Sequence, residues 1–199
     1  MSEIFGIPIQ AFMGQLMLGL VNGSFYATLS LGLAVIFGML NIINFAHGAL
    51  YMAGAMLAWM GLNYFGIGYW WSLLLAPLGV GAVGVIIERS MLQWLYKLDH
   101  LYGLLLTFGL ALILEGLFRD LYGVSGLPYS IPEEFAGAYN LGFMFLPNYR
   151  AWVIVASLIV CLGTWYAIER TRLGAYLRAA TENPQLVQAF GINVPRMIT

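Results

Sequence analysis

The chain has 199 residues and a formal net charge of −1; 61% of it is hydrophobic and only 9% is Asp, Glu, Lys or Arg. Soluble domains carry about 25% charged residues, so this composition cannot make a water-solvated surface. No basic stripe is present to make nucleic acid an expected partner.

No Asp, Glu, Lys or Arg occurs from residue 4 to residue 87, an uncharged run of 84 residues. At about 20 apolar residues per crossing, that run alone holds two to four membrane passes. A cleaved signal peptide is a poor explanation, because the first six residues have no positive region and the apolar stretch is several times too long. The apolar stretches, such as Trp70 to Ile87 and Trp152 to Ile168, are continuous. They do not alternate as barrel strands do, so helices are predicted. The expected fold is an all-α polytopic transmembrane helix bundle, a single domain of about five spans (four to six) embedded in the lipid bilayer of the plasma membrane.

The first apolar block, about 9–40, would be about 48 Å long as a straight helix, against a bilayer core of about 30 Å. Asn22-Gly23-Ser24 is the natural place for a kink or a division into two, and Asn22, Ser24 and Tyr26 place polar groups along the block. The break at Asn41 to Asn44, with His47 and Gly48 just beyond, precedes a second block at about 45–62. Discontinuous helices often line polar cavities in transporters, so Asn22, Ser24, Tyr26, Asn41, Asn44 and His47 are candidates for a translocation path. An interfacial turn with satisfied caps is the competing explanation of the break. His47 itself is expected to be a hydrogen-bonded structural residue rather than a proton relay.

A third block follows at about 69–87, and then a polar loop with Arg89 and Lys97. The fourth block, about 101–122, carries Glu115 and Arg119 at the i, i+4 spacing that neutralises both charges, so a structural ion pair is expected. The loop 123–150 holds Glu133, Glu134 and three prolines. The fifth block is about 151–168 and contains the lone Cys161, expected as a packing thiol. Six of the eight basic residues lie in 88–100 and 169–199. Both segments are therefore predicted cytoplasmic, with 123–150 and the N-terminus outside.

The tail after Glu169 contains a short amphipathic helix with a signal at each end. Asn183 suits the N-cap, Pro184 the first helical position, and Gly191 the left-handed residue that ends a helix. Leu186, Val187 and Phe190 would share one apolar face. So short a helix cannot stand alone in water, so that face is expected to dock, either on the chain's own membrane segment or on a cytoplasmic partner.

The run Arg172-Leu173-Gly174-Ala175-Tyr176-Leu177-Arg178-Ala179-Ala180-Thr181-Glu182-Asn183-Pro184, with Ala189-Phe190-Gly191-Ile192 after it, resembles the cytoplasmic loop of permeases in the branched-chain amino acid ABC importer family, the LivH-like subunit. The runs Gly19 to Ala27 and Gly38 to Gly48 are similar to the same family's N-terminal signature. The resemblance covers almost the whole chain and implies a permease that moves leucine, isoleucine and valine inward, driven by ATP hydrolysis on separate cytoplasmic ATP-binding subunits. It also implies a second homologous permease subunit and an extracytoplasmic substrate-binding protein. On it, Arg172, Gly174, Arg178, Ala179, Glu182, Asn183, Pro184, Phe190, Gly191 and Ile192 form the ATPase-coupling loop, and the chain is expected to be a fragment lacking C-terminal spans. Urea and short-chain amide permeases share these patterns, and an ion-coupled carrier is a further alternative.

Enzymatic activity is not expected. The single lysine, Lys97, follows Tyr96 and so cannot belong to a phosphate-binding loop, and neither HExxH nor Gly-x-Ser-x-Gly occurs. No catalytic residue, metal or cofactor is predicted.

Overall fold

A computed structural model describes residues 3–4, 7–40, 43–95 and 98–192. The helices are α1 (Ile9–Leu40), α2 (His47–Phe65), α3 (Tyr69–Leu95), α4 (His100–Tyr122), α5 (Asn148–Arg170), α6 (Arg172–Glu182) and α7 (Pro184–Ala189). Two short antiparallel hairpins accompany them. β1 (Glu3–Ile4) pairs with β2 (Ile7–Pro8), and β3 (Ala138–Asn140) pairs with β4 (Phe145–Pro147), Asn140 facing Phe145. Each of the five predicted blocks becomes a helix. Four of these, in α1, α3, α4 and α5, are long and apolar enough to cross a membrane; α2 spans 19 residues but is diluted by His47, Asn63 and two tyrosines.

Burial explains how an apolar chain packs when lipid faces it from outside. On α2, α3, α4 and α5 the buried residues are Ala49; Ser72 and Ala76; Thr107 and Ala111; and Ser157. All are small. Large side chains such as Leu105, Ile113 and Leu162 are more than half exposed. Without water to drive apolar groups together, helices in lipid associate through close backbone approach and hydroxyl hydrogen bonds, and this is that pattern.

The described residues form two compact units. The first contains residues up to Leu31 and from Ser130 to Arg170. Within it α1 meets α5 through two hydroxyls and a backbone carbonyl. Ser157 Oγ donates to Ser24 O at 2.9 Å, and Thr28 Oγ1 lies 3.0 Å from both Ser24 O and Ser157 Oγ. Helix α1 runs unbroken through Asn22-Gly23-Ser24, where the sequence suggested a kink or division. Ser24 Oγ donates to Leu20 O at 2.8 Å, so the hydroxyl is satisfied within the continuous helix. Beyond the helices, Phe135 stacks on Trp152 at 5.5 Å and Asn148 Nδ2 donates to Ala136 O, tying the hairpin of the 123–150 loop to the start of α5.

The second unit contains Gly32 to Tyr129 and the tail from Thr171. Helices α2, α3 and α4 meet at one end in an aromatic group. The Trp59 ring is edge-on to Tyr64 and to Tyr122, and its Nε1 donates to Pro128 O at 3.1 Å. Tyr69 faces Tyr129 beside it. Rings with one polar atom suit a membrane–water boundary. At the opposite end, α3 passes through a π-helical turn at Glu88–Leu92, and Asp99 caps α4 by accepting from the Leu101 N–H at 2.9 Å.

Candidate functional site

The break between α1 and α2 sits beside α4, well inside that helix. The Phe45 N–H donates to Thr107 Oγ1 at 3.2 Å, and the Phe45 ring is edge-on to Phe108 at 6.2 Å. Thr107 lies seven residues, about 10 Å, into α4, a helix about 34 Å long. From this level, α2 and α4 climb together, fourteen residues from Phe45 to Trp59 and fifteen from Thr107 to Tyr122, until the two rings meet. The irregular backbone at residues 43–46 therefore lies level with Thr107, seven residues into α4, rather than with the ends of that helix.

Three groups arrange the break. Asn44 Oδ1 accepts from the Ala46 N–H at 2.9 Å, folding the backbone over its own side chain, and the His47 N–H donates to Asn44 O at 3.4 Å. The His47 ring then lies against α1. A Cβ on Gly32 would come within 2.6 Å of His47 Cε1 and 3.1 Å of Nε2, so a glycine is what lets the ring approach. Helix α2 starts without any side-chain cap, since Ala46 occupies the N-cap position.

Of the six predicted path residues, Asn44 and His47 meet at this break, and Asn41 lies outside the described residues. Asn22 and Tyr26 are exposed in the first unit. Ser24 is also in that unit, buried, its hydroxyl bonded to Leu20 O within α1 and its carbonyl accepting from Ser157 of α5. Glu115 and Arg119 are both exposed, one turn apart on α4.

The tail helix has the predicted local structure. The Leu186 N–H donates to Asn183 Oδ1 at 3.0 Å, with Pro184 opening α7. At the other end Gly191 has φ +81°; its N–H donates to Gln188 O and the Ile192 N–H reaches back to Val187 O. Those paired bonds are the Schellman arrangement, which needs a left-handed residue between them. The apolar face, however, is divided. Val187 is buried against Ala180 of α6, with Ile192 beside it, whereas Leu186 is 57% and Phe190 77% exposed. One face docking as a unit is thus replaced by an inward Val187 and outward Leu186 and Phe190, because α6 folds onto α7 and takes the central residue. Gly174 is buried with Ala180 on α6; Arg172, Arg178, Ala179, Glu182 and Asn183 are exposed.

Three residues that shape these sites were not singled out by sequence: Thr107, Ser157 and Gly32. Thr107 and Ser157 are lone hydroxyls inside apolar runs, which is a usable signal. Gly32 carries none, being one of 24 glycines.

Residues 15–199 match the family described as branched-chain amino acid transport system, permease component. The chain is similar to the high-affinity branched-chain amino acid transport system permease protein BraD of Pseudomonas aeruginosa, 28% identical over 96% of this chain and 66% of the relative. It is equally similar to the permease protein LivH of Escherichia coli K12, at 28% over 94% of this chain and 64% of that protein. A probable LivH of Methanocaldococcus jannaschii is 29% identical over 89% of this chain and 57% of its own length. The chain thus spans just under two thirds of the bacterial relatives. No solved structure matches it.

Proposed function

The chain belongs to the family of permease components of branched-chain amino acid transport systems and is a multi-pass inner-membrane protein, and from this premise we propose that it lines part of the path by which an ATP-driven importer moves leucine, isoleucine and valine inward. The observation that carries this reading is the depth of the α1–α2 break. Irregular backbone at membrane depth is tolerated only where protein or a water-filled cavity surrounds it, and transporters use such breaks to present backbone and amide groups to substrate. Asn44 and His47 supply the few polar groups a zwitterionic head needs, while Phe45, Phe108 and Ile43 offer apolar surface to a branched side chain. The unmatched length of the relatives leaves the rest of the path to other segments of the assembled transporter.

The tail supplies coupling. Its helices stand ready for a cytoplasmic ATPase, with exposed Phe190 and Leu186 as the apolar contact and Arg172, Arg178, Glu182 and Asn183 around them. Closure of two ATP-binding subunits would move α6 and α7 and reorient the spans behind them. An extracytoplasmic binding protein and a second, homologous permease subunit complete the machine. Glu115 and Arg119, exposed and one turn apart on α4 with no ion pair formed between them, take no part in transport. Sidedness follows the basic residues, with 88–100 and the tail inside and 123–150 outside.

The test is uptake by the complete permease with its partners. Labelled leucine should accumulate on addition of ATP, and urea and acetamide should not. Accumulation of urea or acetamide in place of leucine would overturn the substrate assignment, and leucine uptake without ATP would overturn the coupling.

A further inference from the structure

We infer that Thr107 is the residue that positions the α1–α2 break for substrate, acting from α4 through the backbone of Phe45; the inference rests on the reading that the break lies on the substrate path. Among the described residues Thr107 is the largest fully buried side chain, 1% exposed. A threonine inside a helix ordinarily gives its hydroxyl proton to a carbonyl one turn back, and Thr107 Oγ1 donates to Leu104 O at 3.1 Å. With its only proton committed, the oxygen can act toward the break solely as an acceptor. The Phe45 N–H meets it at 3.2 Å.

Among the described residues, the acceptors of the break itself are already engaged. Asn44 Oδ1 is occupied by the Ala46 N–H, and Asn44 O receives the His47 N–H. These bonds shape the turn internally but do not fix its direction. The bond to Thr107, seconded by the Phe45–Phe108 ring contact, is what orients Asn44 and His47 with respect to α4. Removing the acceptor leaves the Phe45 N–H without the partner that ties it to α4. Thr107→Val keeps the shape and loses the acceptor; Thr107→Ser keeps the acceptor.

Both variants, and Asn44→Ala, are made in the complete transporter. The readouts are the KM and maximal rate of leucine uptake and the thiol-labelling rate of Ala46→Cys, a position 3% exposed, in a Cys161→Ala background. Loss of one directional hydrogen bond at the break predicts that Thr107→Val raises the leucine KM about tenfold and speeds labelling about tenfold, with the amount of assembled complex unchanged. Thr107→Ser should stay within about twofold of the parent in both. If Thr107→Val does not assemble, Thr107→Ala takes its place with the same expectations. A labelling rate unchanged by loss of the acceptor, or equal impairment by Ser and Val, overturns the inference. Asn44→Ala separates the two levels of argument. If it raises KM while Thr107→Val does not, the role of Thr107 fails alone; if neither changes KM, the substrate-path reading fails and the positioning role with it.

Discussion

The break at residues 43–47 and the tail at 171–192 are both places where helices stop and restart, yet they satisfy their backbone in opposite ways. The tail is self-sufficient: Asn183 caps α7 from the residue before it, Gly191 closes it, and Val187 packs on Ala180 and Ile192 nearby. The break depends on distant helices, its Phe45 N–H on Thr107 of α4 and its His47 ring on the gap left by Gly32 of α1. A segment that carries its own caps can move as a rigid piece and transmit force. A segment held by several helices feels any shift between them, which suits a gate.

The strongest way to break this contrast is at Phe190 and Gly191. Phe190 is exposed, so Phe190→Asp should leave insertion and assembly intact while abolishing uptake. Gly191→Val should do the same by another route, since a β-branched residue at φ +81° is strained by about 1–2 kcal/mol or more and the Schellman turn opens. Undiminished coupling of ATP hydrolysis to uptake in reconstituted complexes with either change would contradict a docking tail.

A second, smaller effect is expected at Gly32. Gly32→Ala drives a methyl into the His47 ring and should lower uptake about tenfold if ring and break move together; the loss should largely vanish in a His47→Ala background, as expected for residues in direct contact. Independent, additive losses would show that Gly32 does not act through His47.

The smallest effects should come from the local and structural bonds. Asn183→Ala removes a cap and should cost about 1 kcal/mol of α7 stability, seen as faster amide exchange confined to the tail. Ser157→Ala removes a hydroxyl between α1 and α5 and should cost about 0.6–2 kcal/mol in an unfolding titration, with leucine KM unchanged. A change of KM in Ser157→Ala would mean that the hydroxyl group belongs to the path rather than to the scaffold.

The same contrast explains what could be read from sequence. The tail's caps were legible because each depends on a residue's own neighbours: Asn183 before Pro184, Gly191 after an apolar residue. The apolar helices were legible because lipid demands long uncharged runs. Which side chain of α7 turns inward was not legible, since that depends on α6 folding over it. Nor was the level of the break on α4, where its Phe45 N–H meets Thr107 more than sixty residues away, nor the continuity of α1 through Ser24, whose hydroxyl bonds Leu20 O. Polar residues in apolar helices announce that a partner exists, but not on which helix.

The central claim is that the break lies on the substrate path, and Ile43, exposed at its edge, reports on it most directly. Ile43→Cys in a Cys161→Ala background, in the complete transporter, should react with a small hydrophilic thiol reagent, and saturating leucine should slow that reaction about tenfold while lysine does not. Reaction at the same rate with and without leucine would contradict the account.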